Sequence, residues 1–239
     1  MKQFWFDGVG SAQLGLHITG SATYGAPERD MEMVSIPGRN GDLIIDKGRY
    51  KNIPVSYPVS IPRNFPERAE EVRAWLLSRP GYRRLEDDYD PDHFRLAAYK
   101  GPLGLEAGTL NRTGEGTISF DCKPQRFLKA GEMPVTFYGA GVLRNPTLFP
   151  AKPLISVSGA GEGVLSVGEV TVEVLELDGT IILDCESMSI YAMGDSGALD
   201  DKSYGVVAAA FPELQCGDVA IRFDGGIEEV EIIPRWWTL

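Results

Sequence analysis

The sequence lacks an apolar run long enough to cross a membrane, and its longest uninterrupted apolar stretch is about the size of Val206–Phe211. A transmembrane helix needs about 20 consecutive apolar residues, so a span of that kind is excluded. The opening residues MKQFWFDG reach an aspartate before the apolar segment of a secretory signal could form. We therefore expect no secretory signal.

Cysteine and histidine are also scarce. The three cysteines, Cys122, Cys185 and Cys216, are odd in number and far apart, which favours reduced thiols over a disulfide framework. Neither His17 nor His93 lies in a metalloprotease, zinc or phosphate-loop motif. Because serine and cysteine nucleophiles usually need a histidine base, we predict a protein that is not an enzyme and has no catalytic, cofactor-binding or metal-binding residues.

Two segments superficially resemble ligand-binding loops. Gly159–Gly163 is rich in glycine, but the strand-like sequence VLSVGEVTVEV follows it where a phosphate loop requires a helix. Asp88–Asp92 spaces three carboxylates like the start of a calcium loop, but His93 and Tyr99 occupy the positions of the required glycine and glutamate. We interpret the first segment as a hairpin and the second as a solvated turn.

Basic residues are scarce in one part of the chain only. Residues 1–137 carry 18 basic and 18 acidic side chains, whereas residues 138–239 carry 5 and 16, so the entire net charge of −11 lies in the second part. A surface this acidic repels nucleic acid and acidic membranes. Two interpretations stay open: solubility of a peripheral domain, or an electrostatic role such as repelling other copies or presenting a negative face to a basic partner.

The charge asymmetry, together with prolines and glycines crowded into residues 123–153, predicts two domains, residues 1–137 and residues 138–239. The 28 glycines, the 16 prolines and many short strand-like runs predict a mainly β protein. One amphipathic helix is predicted over Pro66–Ser78, with Trp75 as the main anchor of its apolar face.

The segment Ser35–Ile61 is rich in β-forming residues. Two runs, Leu43–Ile45 and Ile53–Ile61, flank a basic, glycine-containing turn at Asp46–Lys51. Apolar residues alternate along the second run, which predicts a strand with one buried face. Three prolines lie in or directly after that run and cannot donate ladder hydrogen bonds, so we expect an edge strand or an extended arm.

The second part reads as strands and turns. One hairpin is predicted from Leu154–Ser158 and Val164–Val167, and another around Asp178-Gly179, a strong two-residue turn signal. With the later β-rich runs, these elements predict a β-sandwich or jelly roll.

Two tryptophans, Trp236 and Trp237, lie next to each other near the C-terminus. Adjacent strand residues face opposite sides, so one can enter a core while the other points outward. The outward ring is then either covered by a neighbouring domain or subunit, or available as a platform on which a sugar can stack.

Several of these segments together resemble one known family. The first part contains GDLIIDKGRYKNIPVSYPVSI, AWLLSRPGYRRLEDDYDPDHFRLAAY and SFDCKPQRFLK, which resemble the distal tail protein (Dit) of long-tailed siphophages. The second part continues the resemblance through NPTLFPAKPLISVSG, DCESMSIY, FPELQCGDVAIRF and PRWWTL. The resemblance extends over nearly the whole chain.

The resemblance implies an N-terminal ring-forming domain, a β-sheet or split barrel with one helix, and a C-terminal galectin-like β-sandwich at the periphery. It implies a structural virion component at the tail tip, made in the host cytoplasm, that forms a hexameric hub of one ring or two stacked rings. The implied partners are other copies of the chain, the tail tube protein, the tail-associated lysin or tail fibre, and a receptor-binding protein. Membranes are not among them, and DNA passing through the ring is not recognised by sequence.

A ring needs a head-to-tail interface whose rotation closes, and we expect Lys47–Ile61 to contact the neighbouring subunit. One alternative is a carbohydrate-binding adhesin on the same sandwich that contacts the host cell-wall polysaccharide, although no long insertion interrupts the second domain. A glycoside hydrolase is a third possibility, because the spacing of its two carboxylates is spatial rather than sequential.

Overall fold

The computed structural model describes residues 2–21, 25–193 and 198–239. The chain divides into two compact units, one up to Arg126 together with Leu239, and the other Phe127–Thr238. The predicted boundary between residues 137 and 138 lies later in the chain than this division. The physical reason is strand pairing: Val135 lies opposite Ile232 in an antiparallel ladder of the second unit, so the residues before the predicted boundary already belong there.

The first unit consists of β-strands and one α-helix. In chain order its elements are β1 (Phe4–Phe6), β2 (Val9–Gly10), β3 (His17–Ile18), β4 (Arg29–Val34), β5 (Leu43–Tyr50), β6 (Ile53–Ile61), α1 (Phe65–Leu77), β7 (Arg83–Asp87), β8 (His93–Ala98), β9 (Gly104–Ala107) and β10 (Gly114–Leu128), whose last two residues belong to the second unit. Short 3₁₀ turns cover Ser11–Leu14 and Thr109–Asn111. The main sheet has the order β2-β1-β7-β8-β10-β6-β3, with β9 also on β10, while β4 and β5 form a separate two-stranded sheet.

The helix α1 begins and ends within one residue of its predicted bounds. Its predicted apolar face is confirmed, because Val72, Trp75 and Leu76 are buried in the core of the first unit. The Trp75 ring stacks on Phe4 at 5.7 Å between ring centroids. Burying each such side chain contributes about 1.5–3 kcal/mol, so packing rather than intrinsic propensity holds this helix in place. No helix in the described ranges is long and apolar enough to cross a membrane.

Strand β6 is a member of the main sheet and not an extended arm. It pairs with β10 along its whole length, from Ile53 opposite Cys122 to Ile61 opposite Gly114. Its alternating apolar residues face the core, as predicted, and Tyr57 is buried among them. On the other side, within the described residues, β3 pairs with it only near its C-terminal end. Most of that side is therefore an edge, which explains why the strand tolerates prolines.

The second unit is built on one β-sheet, and its short last strand, Trp237–Thr238, lies outside that sheet. Its elements are β11 (Val135–Phe137), β12 (Gly141–Asn145), β13 (Leu154–Val167), β14 (Val170–Asp184), β15 (Ser189–Met193), β16 (Leu199–Asp201), β17 (Val206–Ala208), β18 (Gly217–Ile233) and β19 (Trp237–Thr238), with 3₁₀ turns at Lys129–Glu132 and Ser203–Gly205. The strand order is β11-β18-β13-β14-β15-β16, with β12 on β18 and β17 on β14. The predicted mainly β class is thus confirmed for both units.

The three central strands of this sheet are long, and both predicted hairpins in this region are wrong. Gly159–Gly163 lies inside β13, and the Asp-Gly dipeptide lies inside β14, where Gly179 is opposite Gly159. Residues from both halves of β13, Ile155 and Leu165 among them, belong to the same hydrophobic core. The sheet therefore folds over its own core, and the glycine-rich segments mark the bend rather than chain reversals.

Close backbone approach explains the glycines at this bend. A Cβ atom on Gly226 in β18 would overlap the carbonyl oxygen of Ala160, and one on Gly159 would overlap the carbonyl oxygen of Gly226. The ladder between β13 and β18 shifts register at the same level, as expected for a bulge. Glycine thus permits the strands to cross the bend without separating.

Candidate interaction site: an exposed hairpin

The most exposed apolar feature of the first unit is the β4–β5 hairpin, Arg29–Tyr50. Its strands are antiparallel, with Val34 opposite Leu43 and Met33 opposite Ile44. The two strands pair only with each other in the described part of the chain. An isolated two-stranded ribbon is marginally stable in water, so other contacts must support this one.

Apolar side chains cover both faces of the hairpin. Five of them have 41% to 59% of their surface exposed: Met31, Met33, Leu43, Ile44 and Ile45. Strand alternation and the observed register put Met31, Met33 and Ile44 on one face, and Leu43 and Ile45 on the other. A hairpin packed on its own core would expose one face only. This one leaves apolar surface on both faces for a partner to cover.

Ion pairs stabilise the base of the hairpin. Arg29 Nη2 lies 2.6 Å from Asp46 Oδ2, and Arg49 Nη2 lies 2.7 Å from Asp30 Oδ2. The hydrogen bond from Arg49 lowers the pKa of Asp30, and the one from Arg29 lowers the pKa of Asp46. Both carboxylates are therefore ionised at neutral pH, and these pairs weaken only when acid protonates them.

The predicted turn at Asp46–Lys51 is wrong for most of its length, because β5 continues through it to Tyr50. Gly48 lies at a β-bulge instead, because the ladder between the two strands shifts register there. Its φ is 70°, and its N–H donates a hydrogen bond to Asp46 Oδ1 at 2.9 Å. The chain reversal instead lies between Val34 and Leu43, within the sequence SIPGRNGD.

The structure divides the segment Lys47–Ile61, for which a subunit contact was expected. Its first residues belong to the exposed hairpin, and Ile53–Ile61 is a strand of the main sheet with a buried face.

The strand β4 was not predicted from the sequence. A usable signal was present, because Met31 and Met33 alternate with charged residues in RDMEMV.

The predicted turn at Asp88–Asp92 does connect two strands, β7 and β8, and two of its three carboxylates have partners inside the protein. Asp88 Oδ2 accepts the backbone N–H of Gln3 at 2.8 Å. Asp90 lies 2.7 Å from Nδ1 of His93 and 3.1 Å from Nη1 of Arg126. Among the described residues, no group of three or more His, Cys, Asp or Glu side chains could hold a metal ion.

Solved structures show what this architecture is similar to. The Dit protein of phage SPP1, a hub of the adsorption apparatus in phages that infect Gram-positive bacteria, matches with a TM-score of 0.76 over 100% of both chains, at 13% sequence identity. The chain has a distal tail protein fold. A chain of the phage p2 baseplate, in its activated conformation with strontium, matches with a TM-score of 0.53 at 7% identity, over 97% of this chain and 98% of that one.

At these identities the likeness concerns the Dit fold alone. Neither a protein-family model nor a curated protein matches the sequence. Full coverage of both chains nevertheless means that both units, and not one shared module, have counterparts in the SPP1 Dit protein.

The two tryptophans near the C-terminus of this Dit-like chain both have partners inside the second unit. Trp236 is the buried one. Trp237 stacks on Phe149 at 4.5 Å between centroids and donates its Nε1–H to the carbonyl oxygen of Pro150 at 2.9 Å. Phe149 therefore covers one face of the half-buried Trp237 ring.

Proposed function

We propose that this chain is a distal tail protein, a structural component of the tip of a phage tail. The full-length likeness to the SPP1 Dit protein supports the tail role. The β4–β5 hairpin supports self-assembly, because five exposed apolar side chains on a free ribbon need a covering surface. The proposal includes no catalysis.

The hairpin docks on a different surface of the neighbouring copy and so repeats around a closed ring. A projecting element that inserts into another part of the next subunit makes a head-to-tail interface, and such an interface forms a ring when its rotation closes. Six copies are proposed, in one ring or two stacked rings. Residues 1–126 of the first unit carry 17 basic and 17 acidic side chains, and this lack of net charge suits packing between identical copies.

The ring lies at the virion tail tip, between the tail tube protein and the tail-associated lysin or tail fibre. The second unit is a galectin-like domain that contacts other components of the adsorption apparatus, a receptor-binding protein among them. In this proposal DNA passes through the ring without sequence-specific recognition.

The assembly is tested by the double variant Met33→Ser/Ile44→Ser. Each side chain contributes about 1.5–3 kcal/mol when fully buried at an interface, so the variant should weaken each subunit contact at least about tenfold. Native mass spectrometry and light scattering measure the oligomer, and negative-stain microscopy shows whether wild-type particles are six-fold rings. Leu148→Ser is the control, because Leu148 is 86% exposed in the second unit.

A second variant replaces residues 35–42 with Asn-Gly, which closes the hairpin early with a favoured two-residue turn. It keeps β6, whose removal in a deletion of Lys47–Ile61 would destroy the main sheet. Wild-type protein that stays monomeric at high concentration, or a Met33→Ser/Ile44→Ser variant that assembles like wild type, would rule out the strands of the hairpin as the ring contact, whereas normal assembly of the Asn-Gly variant would exclude only its connecting loop. Dimers without rings would indicate hairpin-to-hairpin pairing instead.

A further inference from the structure

The second unit contains an open cavity of about 560 Å³ between β14, β15, β16 and β17. Val172, Leu183, Ile190 and Phe211 provide apolar walls, and Tyr191 and Asp201 supply polar groups. A cavity of this size can enclose a large apolar side chain and part of its backbone.

Exposed apolar residues extend this surface beyond the cavity. Met188 and Leu199 line it and are 68% and 66% exposed. Met193, 63% exposed, lies directly opposite Leu199 in the ladder between β15 and β16. Single exposed apolar side chains are ordinary on soluble proteins, but three together at the mouth of a cavity indicate a larger contact surface than a small ligand needs.

The chain around the cavity is strongly acidic. Apart from Asp184, which pairs with Arg235 at 2.6 Å, the described residues of 170–213 carry seven acidic side chains and one basic side chain, and they include every residue that lines the cavity. That one cation, Lys202, is paired with Asp200 at 2.8 Å. Asp201 lines the cavity, and the hydrogen bond from the backbone N–H of Ser203 lowers its pKa, so it is ionised at neutral pH. The cavity thus combines apolar walls with a negative surrounding.

We propose that this cavity binds a protein segment in which a large apolar side chain is flanked by lysine or arginine. The apolar side chain fills the cavity and covers the methionines at its mouth, while the flanking cations meet the acidic surface. Nucleic acid is disfavoured as the occupant, because the same negative charge would repel its phosphates. This site is in a different unit from the hairpin and does not depend on ring formation.

The probe is a random peptide library on beads, screened with the wild-type protein. We expect selection of peptides in which Lys or Arg residues flank an aromatic or large aliphatic residue. Ala208→Trp fills the cavity from a lining position and should weaken the selected peptides at least about tenfold. Ala210→Trp is the matched control, since Ala210 is exposed nearby without lining the cavity, and it should bind like wild type.

The charge is tested separately with Asp201→Asn, which keeps the side-chain oxygen that accepts the Ser203 N–H. This variant should weaken the same peptides about two- to fivefold, with a smaller loss at high salt, whereas Asp218→Asn, away from the cavity, should not. Equal melting temperatures of all four variants exclude unfolding as the cause. The variant with the shortened hairpin should bind like wild type, which separates this site from the proposed ring.

Selection of uncharged or acidic peptides, no selection at all, or equal affinities of the two tryptophan variants would overturn the proposal. Binding to a glycan array that only Ala208→Trp abolishes, without peptide selection, would also overturn it and identify a sugar as the occupant.

Discussion

At the residue scale, burial separates the three cysteines. All three are free, as their odd number predicted. Burial raises the pKa of Cys122 and of Cys185 to about 12, whereas Cys216 is exposed. The thiolate is the reactive form, and at pH 8 only about one in ten thousand thiols with such a pKa is ionised.

We therefore predict one fast-reacting thiol in the folded protein. A colorimetric disulfide reagent at pH 8 should titrate Cys216 within minutes and all three thiols after denaturation in guanidinium chloride. Cys216→Ser should remove the fast phase and leave the slow one. Two or three fast-reacting thiols in the native wild-type protein would show that the hydrophobic core around Cys122 in the first unit, or around Cys185 in the second, opens readily.

At the element scale, the bend in the long strands depends on glycine. Gly226→Ala puts a methyl group against the carbonyl oxygen of Ala160, a backbone atom that cannot move without disturbing the ladder. We expect a loss of about 1–3 kcal/mol in the free energy of unfolding, measured by urea denaturation. Gly139→Ala is the control, because a Cβ there has open space. An equal effect of both substitutions would contradict this account of the bend.

An element could be predicted from the sequence where its start, its apolar period and its end are all marked by nearby residues. The helix α1 has a proline in its first turn, a 3.6-residue apolar period and the stop sequence RPG, and its bounds followed from these. The Asp-Gly dipeptide in β14 has an equally strong local signal and was misread. A glycine that permits a turn also permits a bulge or a bend, and only the neighbouring strands decide between them. Gly179 has such neighbours, because it pairs with Gly159 of β13.

At the scale of the whole molecule, the residues just after Arg126 decide how the chain divides. Besides the pairing of β11 with β18, the N–H of Leu128 donates to the carbonyl oxygen of Trp236 at 2.9 Å, and the N–H of Arg235 donates to that of Gly131 at 2.7 Å. A fragment of residues 138–239 would lose all of these hydrogen bonds.

We predict that a fragment of residues 127–239 is more stable than one of residues 138–239, by at least about 2 kcal/mol, since several backbone hydrogen bonds and their packing are lost together. Urea denaturation of the two fragments, followed by tryptophan fluorescence, measures the difference. Equal midpoints would support the boundary predicted between residues 137 and 138.

The two units also differ in the surfaces they offer. The neutral first part carries an apolar hairpin, which suits contact with identical copies, whereas the acidic second part carries an apolar cavity, which suits a basic partner. The charge asymmetry was visible in the sequence, but the two surfaces were not, because each brings together residues that the sequence separates: β4 with β5, and β14 with β17.

The order of the residues alone determined the mainly β class, the single helix, the alternation along β6 and the separation of charge, because these depend on composition and on short periods. The folded chain decided which glycines bend a strand, which strand of Ser35–Ile61 joins the main sheet and which stays exposed in a hairpin, and where the units divide. Those outcomes depend on pairing between distant segments, and the free energy of such pairing is absent from any local pattern.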